Sequence, residues 1–260
     1  MSAIFALPPT PPVALVTGAP ARVGAALARR LGREGFAVLV HYRTSADEAQ
    51  NVVAEIIAGG GRAAAVPADL ANRAERAGLI AAAARPFGPL TLLVNNASLY
   101  ERDSIADLDE QLWDDHFAVH AEAPVFLSRD FAAQLPPGAE GNIVNIIDAR
   151  VLDLSPAYFS YTLSKAVLWT ATQTLAQSLA PRIRVNAIGP GPTIAPPHRP
   201  TDELVTARAR LPLRRSADPD GIADGLMAIL SLPSMTGQML ALDGGEHIGW
   251  PERRGPTPRR

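Results

Sequence analysis

Cysteine is absent from the 260 residues, so disulfides, thiolate nucleophiles and iron–sulfur clusters are excluded. Lysine is almost absent: of 24 basic residues, 23 are arginine and one, Lys165, is lysine. A basic excess is also lacking, the formal net charge being −2 at pH 7, and nucleic acid is not expected as a partner. No apolar run reaches ~18 residues, so no spanning helix and no membrane partner are expected. The five histidines (His41, His116, His120, His198 and His247) form no HExxH-type pair, and no metal site is expected. The opening MSAIFALPPTPP has no basic region, and its apolar run stops at Pro8, so a secretory leader is not expected and the chain reads as cytoplasmic.

What is present alternates. Apolar runs at Val13–Thr17, Phe36–His41, Ala63–Ala68, Leu90–Asn95, Asn142–Ile147, Ile183–Ile188 and Gln238–Leu242 read as seven strands. Helical patterns lie between them: Arg22–Glu34, Ala46–Ala58 with Ser45 as its cap, Asn72–Arg85, a long region from Leu108 to Leu135, Tyr158–Ala180 and Pro219–Ser231. Continuous apolar strands suit a parallel sheet buried on both faces. The pattern predicts a single doubly wound, Rossmann-type α/β domain over 13–249, with a mostly or fully parallel seven-stranded sheet. Residues 1–12 and 250–260 read as flexible tails, and the proline-rich stretch Pro192–Arg210 reads as a flexible substrate loop.

Two constellations carry chemistry. After the first strand comes Thr17-Gly18-Ala19-Pro20-Ala21-Arg22-Val23-Gly24, where a helix begins. Glycines there let backbone approach a pyrophosphate at a helix N-terminus, although such a turn also occurs as a plain tight turn. The second strand ends at His41-Tyr42-Arg43-Thr44-Ser45, with no carboxylate before Asp47. A carboxylate there would bind the ribose hydroxyls of NAD, whereas arginine accommodates the 2′-phosphate of NADP. Arg43, Ser45 and Arg22 are the candidate phosphate cage, the alternative being that Arg43 is a solvated loop residue. The second constellation is Tyr161 and the sole lysine, Lys165, four residues apart on one helical face. A phenol of pKa ~10 can donate a proton, and a nearby ammonium lowers that pKa and stabilises the phenolate.

With these residues on the page, the chain resembles the short-chain dehydrogenases/reductases from about Val13 to Gly245. The matching pieces are Thr17–Gly24, Asp69-Leu70, Asn95-Asn96-Ala97, Tyr161-x-x-x-Lys165, Arg184-Val185-Asn186, Pro190-Gly191 and Asp243-Gly244-Gly245. Arg22 where most members have glycine, the HYR-x-S-A segment, Asn95-Asn96-Ala97-Ser98, and Asp148 thirteen residues before the tyrosine in place of serine resemble the pteridine and dihydromonapterin reductases.

The resemblance implies an NADPH-dependent oxidoreductase that transfers hydride to a small molecule. Its cofactor site would comprise Gly18, Arg22, Val23, Gly24, Tyr42, Arg43, Thr44, Ser45, Asp69 near the adenine, Leu70, Asn96, Ala97, Ser98, Tyr161, Lys165, Pro190 and Gly191 near the nicotinamide, and Thr193. Tyr161 would donate the proton and Lys165 would hold the ribose. Asp148 would orient the substrate or share in protonating it, and Tyr100 would stack on it beside Ser98. The substrate expected from this pattern is a dihydropteridine. A ketone or 3-oxoacyl reductase is the alternative within enzymes, and an NADP-binding regulator with vestigial catalysis is the alternative outside them. His120 replaces the family's relay asparagine, either as a proton relay or as a packed core residue. A homotetramer built through the long helices is expected.

Overall fold

In the computed structural model of the chain, residues 11–194 and 201–249 are described, with backbone alone for 201–203. The expected tails at 1–10 and 250–260 lie outside the described residues, as does the centre of the expected substrate loop.

The seven strands are β1 (Val13–Val16), β2 (Ala37–Tyr42), β3 (Arg62–Pro67), β4 (Leu92–Asn95), β5 (Gly141–Ile146), β6 (Ile183–Pro190) and β7 (Met239–Leu242). They form one sheet in the order β3-β2-β1-β4-β5-β6-β7, and every pair is parallel. Strand side chains alternate in direction, so each strand feeds two cores. Ala14 and Val16 of β1 pack with Leu27, Leu31, Val52, Ile56 and Leu226. These come from α1 (Arg22–Arg33), α2 (Ala46–Ala58) and α8 (Pro219–Ser231). Val13 and Leu15 pack on the other face with Leu79, Leu127 and Phe131. These belong to α3 (Arg73–Ala84) and α5 (Ala123–Gln134). Every β1 side chain is at most 4% exposed, which is why the strand reads as an unbroken apolar run.

The long helical region expected from Leu108 to Leu135 is helical without a gap over 110–134, but not regular throughout. It comprises α4 (Glu110–Phe117), a π turn over Ala118–Glu122, and α5. Asp109 caps α4 by accepting from the Leu112 N–H at 2.8 Å. Pro124 supplies the reason for the break. It has no N–H for the carbonyl of His120 and its ring crowds that carbonyl, so a regular α-helical ladder cannot run through the position. Ser45 does sit at the N-cap of α2, but its side chain makes no capping bond. The expected loop Pro192–Arg210 also needs correction, because Thr201–Arg210 forms a helix, α7. Its proline content misled: the prolines all precede Thr201, and the segment TDELVTARAR that follows contains no helix breaker. The remaining long helix is α6 (Phe159–Leu179), and no helix among the described residues is long and apolar enough to cross a membrane.

Strand order reverses between β1 and β4. In open α/β sheets the crevice beyond the carboxyl ends of strands at such a point is where ligands bind. The segments after β1, β2, β4, β5 and β6 all open there.

Candidate active site

Every residue named above for the cofactor, the catalysis or the substrate, His120 apart, lines one cleft of about 960 Å³ at those strand ends. Its floor is the turn after β1. Gly18 has φ +60°, and a Cβ on it would lie 2.8 Å from the Ala97 Cα. A Cβ on Gly24 would collide with the Gly18 carbonyl and lie 2.7 Å from the Asn96 amide nitrogen. Asn96 fastens the turn by donating its side-chain N–H groups to the carbonyls of Thr17 and Gly18, both at 2.9 Å. The Thr17 hydroxyl oxygen accepts from the N–H groups of Asn96 at 2.9 Å and Ala97 at 3.0 Å. Asn96 thus grips the glycine turn while lining the cleft.

A second fastening was not foreseen. His41, 2% exposed at the end of β2, accepts the Gly18 N–H at Nδ1 (3.0 Å) and donates from Nε2 to the Ala68 carbonyl (3.0 Å). The bond accepted at Nδ1 requires the neutral ring, and burial pushes the pKa down to about 4. The sequence signal was only a histidine at a strand end, which is common in cores.

Beyond β2, Arg43 and Thr44 are exposed, and Arg43 makes no ion pair among the described residues. Arg22 occupies the left-handed region at φ +54° and donates to the Ile194 carbonyl at 2.9 Å. On the opposite wall, Asp69 accepts the Ala71 N–H at 3.0 Å, and Leu70 is buried beside it. Pro190 ends β6, and a Cβ on Gly191, the next residue, would lie 2.7 Å from the Asp243 Cα. Arg208 of α7 donates to the Thr193 carbonyl at 2.7 Å, holding that stretch over the cleft.

The reactive groups converge at the middle. Tyr161 and Lys165 lie on one face of α6, 5% and 2% exposed. The phenol donates to Asp148 Oδ2 at 3.0 Å, and Asp148 Oδ1 accepts the Arg150 N–H at 2.8 Å. Lys165 Nζ donates to the Ile146 carbonyl at 2.9 Å and lies 5.8 Å from the Tyr161 ring centre. Burial first, and the Asp148 carboxylate second, hold the Tyr161 phenol well above its ordinary pKa. Burial pulls Lys165 down to about 8, against the opposing pull of Asp148. Two opposing pulls act on the phenol, Lys165 downward and Asp148 with burial upward, and the upward one prevails: Asp148 accepts the phenol's hydrogen bond, and the phenol is held protonated.

Behind the tyrosine, His120 is fully buried with both ring nitrogens engaged. Nε2 accepts from the Leu99 N–H and the Ser98 hydroxyl, each at 3.0 Å. Nδ1 donates to Ser164 Oγ at 2.9 Å, and that hydroxyl donates to the Tyr161 carbonyl at 2.8 Å. Burial pushes its pKa well below the ordinary value. Of the two roles left open for it, the geometry favours the packed one: a neutral clamp between the Ser98–Tyr100 segment and α6.

At the mouth, Tyr100 stacks on Tyr158 with ring centres 4.6 Å apart and meets Tyr161 edge-on at 5.0 Å. Tyr158, at the N-cap of α6 with φ +60°, was not foreseen. Nor was Arg150, which donates to the Tyr100 hydroxyl at 3.2 Å and covers the Tyr158 ring at 4.6 Å. In a chain with 23 arginines, one more carries no signal.

Comparison with known proteins agrees with this geometry. The family model of the short chain dehydrogenases matches residues 12–203. The solved FolM alternative dihydrofolate reductase 1 of Brucella suis, in complex with NADP, is 45% identical, with a TM-score of 0.89 over 95% of this chain and 97% of that one. Pteridine reductase 1 of Leishmania tarentolae is 32% identical over 91% of this chain and 96% of its own. A 3-oxoacyl-[acyl-carrier-protein] reductase of Synechocystis sp. is 32% identical over 91% and 97%. The chain is an oxidoreductase of the short-chain dehydrogenase/reductase family.

Proposed function

We propose that the protein is an NADPH-dependent reductase of a dihydropteridine. The observation that carries this reading is the hydrogen bond from Tyr161 to Asp148, at the position where a ketone reductase needs a neutral donor. An ionised carboxylate only accepts, and it repels the charge that develops on a carbonyl oxygen. A pterin offers ring N–H donors to such an acceptor, and the reduced C=N nitrogen must gain a proton. The similarity to a FolM alternative dihydrofolate reductase and to a pteridine reductase supports the same choice.

The cleft suits the phosphorylated dinucleotide. Gly18 and Gly24 leave a cradle that a side chain would fill, and the end of β2 presents Arg43 with no carboxylate. Arg22, Arg43 and Ser45 would hold the 2′-phosphate. Asp69, Leu70 and Asn96–Ser98 would flank the adenosine and ribose, Lys165 would hold the nicotinamide ribose, and Pro190, Gly191 and Thr193 would back the nicotinamide. NADPH held there would supply the hydride. Tyr161 delivers the proton, Asp148 keeps the phenol protonated until then and accepts from the substrate ring, and Tyr100 and Ser98 form the substrate wall.

The similarity to 3-oxoacyl reductases favours a second reading, a general carbonyl reductase. NADPH oxidation measured with a pterin panel and a ketone panel tests the two. A homotetramer is proposed as well, supported by an apolar groove on α6 lined by Phe117, Leu163 and Val167.

A further inference from the structure

We infer that Asp103 is a positioning residue for the proposed reaction: it fixes the N-terminus of α6 and, through Ser160, the place of the Tyr161 phenol. The inference rests on the reading of Tyr161 as proton donor and deepens it, whichever substrate the cleft takes. The first N–H groups of a helix have no partner within it. At α6 a single residue meets three of them. The Asp103 carbonyl accepts from the Tyr158 N–H at 2.9 Å and the Phe159 N–H at 3.4 Å. The Asp103 carboxylate accepts from the Ser160 N–H, with both oxygens at 3.2 Å, and from the Ser160 hydroxyl. That carboxylate is buried and makes no ion pair among the described residues. An unpaired buried charge is costly. The hydrogen bonds and the positive end of the α6 dipole offset that cost, so the charge and the helix end hold each other in place. A carboxylate only accepts, so the one hydroxyl proton of Ser160 goes to Asp103, and His116 of α4 donates from Nδ1 to Ser160 Oγ at 2.6 Å. Asp103, His116 and Ser160 are all buried, and none of them lines the cleft, so they touch neither cofactor nor substrate there. What they touch is the support of the phenol. Tyr161 follows Ser160 directly, and its ring meets the His116 ring edge-on at 5.9 Å. Tyr158 is held at φ +60°, a conformation unfavourable for a residue with a side chain, by the bond to Asp103 and by its stacking on Tyr100. The loop that carries Tyr100, α4 and the first turn of α6 thus meet at one buried carboxylate.

The test measures kcat, KM and the NADPH Kd of the full chain, with dihydrobiopterin and a ketone panel as substrates. Asp103→Asn keeps the size and one acceptor for the Ser160 N–H, but its amide nitrogen cannot accept the Ser160 hydroxyl proton. Ser160→Ala removes the hydroxyl that Asp103 and His116 share and leaves the backbone contacts in place. Each removes a different partner, so either decides the matter if the other does not fold. Each should lower kcat by about tenfold or more on whichever substrate the parent reduces, the scale on which a small misplacement of a reacting group acts, with the NADPH Kd changed by less than about twofold. In a Tyr161→Phe background, where turnover no longer passes through the phenol, Asp103→Asn should lower kcat by less than about twofold further. Parental kcat in a folded Asp103→Asn or Ser160→Ala overturns the inference. So does a loss carried by KM or NADPH affinity alone, and so does an undiminished loss in the Tyr161→Phe background. Parental turnover in Tyr161→Phe, or reduction of none of these substrates by the parent, overturns the reductase mechanism and the positioning role with it.

Discussion

Tyr161 is the residue to which the proposed mechanism gives the proton transfer, and its surroundings set its state. Burial and Asp148 keep it a phenol, the state in which the proposed mechanism needs it. Tyr161→Phe should fold and bind NADPH, yet lose at least ~10²-fold in kcat, the usual scale for an acid–base participant. Near-normal turnover of that variant removes tyrosine from the mechanism. Lys165→Arg keeps the charge but should lose most activity, because a planar guanidinium cannot take the place of a compact ammonium in that buried slot. His41 makes a pH prediction. Its folded pKa of about 4 lies below the ordinary 6.5, so its contribution to stability is complete above 6.5 and is lost as pH falls through that window. The shift is worth about 3 kcal/mol. Urea unfolding at pH 6.5 and pH 4 should show the unaltered protein losing about that much more than His41→Gln, which keeps one donor and one acceptor. Parallel losses would mean that His41 titrates normally.

At the scale of elements, the seven strands, the six helices read from apolar periodicity, and the glycine turn were legible, since each is written as a local pattern. The break between α4 and α5 was not, because it follows from what Pro124 does to the carbonyl four residues earlier, and periodicity runs on through it. Helix α7 was hidden by the prolines before it. Within the cleft, the residues expected to touch a ligand carried motif signals, whereas His41 and Arg150 did not. His41 grips Gly18 across 23 residues, and Arg150 reaches Tyr100 across 50; such pairings come from folding, not spacing. The π turn presents His120 to both the Ser98–Tyr100 segment and α6, so this clamp ties the two together. His120→Leu leaves the Leu99 N–H and the Ser98 hydroxyl without their partner, at a cost of ~1–3 kcal/mol each. Denaturant midpoints should fall accordingly, and KM for the substrate should rise. A variant as stable as the parent with unchanged KM contradicts the clamp.

At the scale of the whole molecule, the groove on α6 exposes Leu163 and Val167, 38% and 43% accessible, where a second copy would cover them. Sedimentation should give four times 27.5 kDa, and Val167→Glu should give a smaller species; a monomeric parent contradicts the tetramer. Cofactor choice belongs to the cleft as a unit. Arg43→Asp should weaken NADPH by about tenfold or more and NADH far less, as read by fluorescence titration. Equal use of NADH and NADPH by the parent removes the phosphate cage. The central claim is that Asp148 turns a carbonyl-reductase scaffold toward a pterin. The most direct measurement is kcat/KM for a dihydropterin and for a ketone, in the parent and in Asp148→Ser. The account predicts that the substitution lowers pterin reduction by about 10²-fold or more while leaving ketone reduction unchanged or raised. A parent that prefers the ketone, with pterin turnover not selectively lost in Asp148→Ser, would contradict it.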